Sequence, residues 1–87
     1  MGYDVQYSDK ADKELAKTDH FQARIIIAWV EKNLVGCANP RLHGMALVGS
    51  DYWRYRVGDY RLIADIQDNL VLIEIVRVGH RRDVYDD

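Results

Sequence analysis

Residues 53–62 read WRYRVGDYRL. Arg54 and Arg56 alternate with aromatic residues, a Gly58-Asp59 pair follows, and Arg61 comes just beyond it. Near the C-terminus, VGHRRDVY adds His80, Arg81, Arg82 and Tyr85. A guanidinium is a rigid fork of donors that fits a phosphate and stabilises charge that builds up on it. Arginine is a poor general acid, with a pKa above about 12, but it still donates strong hydrogen bonds. Tyrosine, with a pKa near ~10, is a reluctant base unless neighbouring cations favour its phenolate. Metal-free RNA cleavage needs little more than this. The ribose 2′-OH already lies close to its own phosphate. It must be aligned and deprotonated, and the leaving 5′-oxygen must be protonated. DNA lacks the attacking hydroxyl.

The elements that must carry these residues are legible. YDVQY (3–7) alternates apolar and polar residues and predicts a short strand. Ser8 or Asp9 can cap a helix running to about Lys17. Thr18-Asp19 interrupts it, and Asp19 with Gln22 forms a capping-box pattern that opens a second helix. Along that helix Phe21, Ile25, Ala28 or Trp29, and Lys32 recur at helical spacing, and Gly36 is its stop. Residues 37–50 hold the only proline and predict a loop, with a partly ordered apolar segment around Met45–Val48. Three strands follow, at about 51–57, 60–67 and 70–78, with Gly58-Asp59 and Asp68-Asn69 as two-residue hairpin turns. The order β-α-α-β-β-β predicts an α+β fold: one domain over 1–87, with a small, mainly antiparallel sheet and a helical pair packed on one face.

A tight turn at Gly58-Asp59 pairs Val57 with Tyr60 and sets Arg56 across from Arg61. Trp53, Tyr55, Val57, Tyr60, Leu62, Ala64 and Ile66 then share a core face. Tyr52, Arg54, Arg56, Arg61, Ile63 and Asp65 share the other. Like charges directly opposite each other are destabilising. Either the arginines snorkel on a solvated face, or an anion normally neutralises them. A second tight turn at Asp68-Asn69 sets Arg61 opposite Val76, and Arg77 opposite Tyr60 on the core face. It also delivers His80, Arg81, Arg82 and Tyr85 beside the first turn, so arginines from three segments converge there. His80 is then either an ordinary polar residue after a strand or a contact for phosphate or a proton. Arg77 and Arg82 suit general electrostatic or structural work. Trp29, Trp53 and Tyr55 suit the core.

Composition narrows the classes. Of the 87 residues, 48% are hydrophobic and 30% charged, which is a globular balance. The net charge is −2, yet six of the eight arginines lie within residues 54–82, and that segregation points to a basic site on an acidic chain. Cys37 is the only cysteine and has no activating motif. His20 and His43 have no neighbours suggesting a metal site. No Walker loop, GxGxxG or GxSxG motif is present, and the carboxylates are scattered, so neither a metal nor a cofactor is expected. No apolar run has membrane-spanning length. MGYDVQYSDK carries no signal-peptide pattern, so the expected location is the cytoplasm.

Two stretches, NPRLHGMALVGSDYWRYRVGDYRLIADI and VLIEIVRVGHRRDVY, together with the element order, resemble the RelE/ParE superfamily of type II toxin–antitoxin toxins, and the RelE branch in particular. The resemblance implies an endoribonuclease that enters the vacant ribosomal A site and cuts mRNA there, kept silent by a cognate antitoxin protein. It implies that Arg54 and Arg56 hold the RNA phosphate, that Arg61 stabilises the transition state, that Arg81 assists the leaving group, and that Tyr85 is a candidate base. Lysines are familiar in that branch where Arg54 and Arg56 stand here. His80 and Arg82 are added as phosphate contacts. Some relatives continue into a C-terminal helix after the tyrosine, and that control element is expected to be lacking here. The alternative within the superfamily is a ParE-like inhibitor of DNA gyrase, a binding protein with no active site.

Overall fold

The computed structural model describes residues 2–80. The elements run β1 (Asp4–Tyr7), α1 (Asp9–Lys17), α2 (His20–Asn33), β2 (Met45–Ala46), β3 (Trp53–Val57), β4 (Tyr60–Gln67), a 3-10 turn (Asp68–Leu70) and β5 (Leu72–His80). The fold is α+β. Its five-stranded sheet has the order β1-β5-β4-β3-β2, with β1 parallel to β5 and the other pairs antiparallel. The apolar segment near Met45 pairs with β3 as a two-residue edge strand, so the sheet gains a strand that the pattern left in the loop. Its approach is close. A Cβ on Gly44 would collide with the Arg54 carbonyl oxygen, and Gly44 has φ +75°.

Local chemistry sets the helix ends. Ser8 caps α1, accepting from the Ala11 N–H at 3.0 Å, and Asp19 caps α2, accepting from the Gln22 N–H at 3.2 Å. Gly36 follows α2 with φ +78°, the left-handed geometry of a helix stop. The buried stripe of α2 is Ile26, Val30 and Leu34. Phe21 and Ile25 are 67% and 41% exposed, so of the residues that recur at that spacing only Trp29 packs against the core. A helix with apolar residues on two sides does not reveal from spacing alone which side packs.

The core joins Ala11 of α1 and this α2 stripe to Tyr55, Val57, Leu62, Ala64, Ile73, Ile75 and Val78 of the sheet. Trp29, Trp53 and Tyr60 pack against it, partly buried. The Tyr55 hydroxyl donates to the Pro40 carbonyl at 2.6 Å, and burial pushes its pKa up. The Trp53 indole N–H donates to the His43 carbonyl at 2.6 Å. Both bonds tie the 37–50 loop to β3.

The first hairpin has the predicted register: Val57 faces Tyr60 and Arg56 faces Arg61. The second does not. Asp68–Leu70 forms a 3-10 turn, Val71 follows at φ 51°, and β5 bulges by one residue, Val76, where the ladder passes between Ile63 and Ala64 of β4. Gln67 faces Leu72 and Ala64 faces Ile75, but Ile63 faces Arg77. Arg61 therefore lies opposite Gly79, not Val76, and Arg77 lies opposite Ile63, not Tyr60. Asp68-Asn69 reads as a tight turn, but Asp68 is held from outside the hairpin. Arg41 forks onto its two carboxylate oxygens at 3.1 Å each, and the Tyr3 hydroxyl donates to it at 2.7 Å. The Arg41 bond, then that of Tyr3, holds the Asp68 carboxyl below its ordinary value.

Candidate functional site

Residues that face each other across a sheet share a side of it, and neighbours along a strand alternate. Trp53/Ala64, Tyr55/Leu62 and Val57/Tyr60 look toward the helices, and Arg54/Ile63 and Arg56/Arg61 look away. The outer face near the Gly58-Asp59 turn is thus basic. Arg56 is exposed, while Arg54 and Arg61 are half-buried. Arg54 Nη2 donates to the Met45 sulfur at 2.9 Å, and Arg56 Nε reaches the Gly58 carbonyl at 3.4 Å. Gly79, beside Arg61 on the next strand, adds no side chain to this face. Ile63 is 5% exposed but stands outside the main core, with Arg54 and Arg77 as its cross-strand neighbours. Arginine stems cover apolar surface while their heads stay in water.

The other end of this face is acidic. Asp65 lies opposite Glu74, a second like-charged pair of the opposite sign. An approaching polyanion is drawn to the arginine end and turned from the carboxylate end. The basic site is a local field on a chain whose net charge is −2.

His80 lies on the inner side, opposite Tyr60, with ring centroids 5.6 Å apart and the planes at 75°. The structure brings Arg54, Arg56 and Arg61 together on one face and sets His80 at the same sheet end but across it. Arg81, Arg82 and Tyr85 lie outside the described residues. Behind His80 is a cleft of about 290 Å³, lined by Glu14, Lys17, Thr18, Asp19, Tyr60 and Arg77 among others. Arg77 Nε donates to Glu14 Oε2 at 3.1 Å, and the Val78 N–H donates to Glu14 Oε1 at 2.6 Å. Nothing in the spacing ties Glu14 to a strand 64 residues later, so it was not a candidate from sequence.

Burial pushes the Cys37 thiol up, away from the thiolate a nucleophile needs. Among the described residues, no three His, Cys, Asp or Glu side chains group as a metal site. In the same residues, no helix is long and apolar enough to cross a membrane.

A two-helix, five-stranded mixed-sheet α+β fold is the fold of the RelE/ParE superfamily of type II toxin–antitoxin toxins. Within it, residues 5–85 match the model of the ParE toxin of the type II toxin–antitoxin system parDE, and the chain belongs to that family. A chain of the crystallised RelBE2 toxin–antitoxin complex of Mycobacterium tuberculosis is 26% identical and superposes with a TM-score of 0.84, covering 95% of each chain. A mutant of the E. coli toxin RelE in the free state is 22% identical, with a TM-score of 0.77 over 97% of this chain and 88% of that one. The archaeal RelE–RelB complex of Pyrococcus horikoshii supplies a chain 20% identical, with a TM-score of 0.70 over 97% of this chain and 100% of that one. At these identities the last two likenesses speak to the fold alone. No curated protein sequence matches the chain.

Proposed function

We propose that this toxin is a ribosome-dependent, metal-free endoribonuclease that cuts mRNA in the ribosomal A site, in the cytoplasm, until a cognate antitoxin silences it. The observation that carries the reading is the apposition of Arg56 and Arg61 on the outer face, with the end of β5 running beside them. Two guanidinium groups set opposite each other present paired donors that fit a phosphate. In this reading the 2′-oxygen attacks the adjacent phosphorus, the bond to the 5′-oxygen breaks, and a 2′,3′-cyclic phosphate results with a 5′-oxygen that takes a proton from water to become a 5′-hydroxyl. Arg54 and Arg56 hold phosphates. Arg61 stabilises the charge of the transition state. Arg81 assists the leaving oxygen, Tyr85 takes the 2′ proton, and Arg82 adds a phosphate contact. His80, across the sheet from Arg61, makes its phosphate contact at the rim. The ribosome supplies the alignment that a site without a conventional acid–base pair needs.

The match to the parDE toxin model favours a second reading, in which the chain inhibits DNA gyrase by binding it. Primer extension on a defined mRNA in a reconstituted translation reaction separates the two. The expected result is cuts within A-site codons only when ribosomes are present. Arg61→Ala should lower the single-turnover rate by about 100-fold, the scale set by removing one charge-stabilising donor. Intact mRNA together with inhibited supercoiling would establish the gyrase reading instead.

A further inference from the structure

The β1 strand ends at Tyr7, opposite Ile75, so the last five residues of β5 have no strand beside them on that side. Helix α1 takes its place. The Ser8 N–H donates to the Ile75 carbonyl at 2.9 Å, and the Ser8 hydroxyl donates to the Val76 carbonyl at 3.0 Å. Nearly two turns of helix further on, the Glu14 carboxylate accepts from the Val78 N–H on one oxygen and from Arg77 Nε on the other. This carboxylate side chain is only 23% exposed. Charge-assisted bonds of this length are among the stronger ones a protein makes.

The clamped stretch contains the bulge. On β4 the pairing passes from Ala64 to Ile63, while on β5 it passes from Ile75 to Arg77, so Val76 is the extra residue. A bulge re-aims the side chains that follow it. Here it decides that Val78 and His80 face the helices and that Gly79 faces outward beside Arg61. A slip of one residue would exchange those faces.

We propose that Glu14 is a positioning residue for the site at this sheet end. Among the described residues it bonds to Arg77 and Val78, neither of which carries a step in the cleavage reading. By holding Arg77 and Val78 it fixes the face and height at which β5 passes Arg61. The proposal rests on the cleavage reading, and its test keeps the two apart.

Three full-length variants are compared with the wild type: Glu14→Ala, Glu14→Gln, and Ile73→Val as a core control for lost stability. NMR follows the amide protons of Val78, Gly79 and His80. Single-turnover cleavage is measured on programmed ribosomes across a range of toxin concentrations. Glu14→Ala should lose the downfield Val78 amide and its exchange protection. Its cleavage rate at saturation should fall about tenfold, as expected when reacting groups are misplaced, with half-saturation unchanged. Glu14→Gln keeps an acceptor for Val78 and should recover most of that rate. Ile73→Val should cleave like the wild type despite a lower Tm. If the Glu14→Ala amides lose protection and cleavage stays at the level of Ile73→Val, the positioning role is overturned while the cleavage reading stands. Unprotected Val78 in the wild type overturns the clamp itself. A folded wild type that cuts no mRNA on ribosomes overturns the cleavage reading and the role built on it.

Discussion

Strand β4 has two ends, and they are built differently. At its start, Gly58-Asp59 turns the chain within two residues, and Gly58 sits at φ +60°. Everything this turn needs lies in the turn. At its far end the chain takes four residues to reverse, with a β-branched residue, Val71, at φ 51°. That turn is held by residues far away in sequence: Arg41 and Tyr3 fasten Asp68, and the Asp4 N–H donates to the Val71 carbonyl at 3.0 Å. The self-contained end carries the arginine pair, and the fastened end lies beyond the Asp65–Glu74 carboxylates. The difference teaches that the register of the basic site is fixed locally on β3–β4, while its third strand is placed by tertiary contacts.

The sharpest way to break this contrast is at the glycine. A Cβ at position 58 meets nothing within 4 Å, so the only cost of a side chain there is conformational. Gly58→Val places a β-branched residue in left-handed geometry and should destabilise by about 2 kcal/mol. On a chain of this size that lowers Tm by roughly 10 °C. Cleavage should fall with it even below Tm, because the Arg56–Arg61 register is set by this turn. An unchanged Tm in calorimetry would show that the turn is not self-contained.

The opposite change sharpens the contrast from the other side. Val71 is 44% exposed, so its side chain contributes little burial, and it occupies a conformation that asparagine tolerates far better. Val71→Asn should raise stability by about 0.5–1 kcal/mol. A rise of about 5 °C in Tm is the expected reading. A fall would mean that the left-handed geometry carries no strain here.

The same contrast explains what could be read from the sequence. WRYRVGDYRL announces its own pairing, because alternation and a Gly-containing turn are local signals. The faces of Trp53 to Ala64 and the Arg56–Arg61 apposition therefore followed without a structure. The Ser8 and Asp19 caps were legible for the same reason. The place of β5 was not. Asp68-Asn69 resembles a two-residue turn, and neither the Arg41 fork on Asp68 nor the Glu14 clamp on Val78 leaves a mark within ten residues of the strand it moves. The sequence pattern puts Arg61 on the correct face but opposite Val76, where the sheet sets it opposite Gly79. On α2, the competing stripes of Phe21/Ile25 and Ile26/Val30/Leu34 differ by one position, and only packing chooses between them.

The smallest expected effect tests whether charge fastens the far turn. Asp68 is exposed, its partner Arg41 is exposed, and surface ion pairs contribute little. Its direction with pH is nevertheless defined. The folded Asp68 carboxyl lies below its ordinary value of 3.8, because Arg41 and Tyr3 donate to the charged form. Its contribution is therefore complete above that ordinary value and is lost as pH falls through the lower folded one. Asp68→Asn should lower the urea midpoint slightly at pH 7. The two midpoints should draw together as pH falls from the ordinary Asp value through the lower folded one, below which wild-type Asp68 is protonated as well. The gap at pH 7 should also narrow in high salt, which screens exposed charges. A gap that persists unchanged in acid would assign the fastening to the shape of the Arg41–Asp68–Tyr3 hydrogen bonds, with the ion pair contributing nothing.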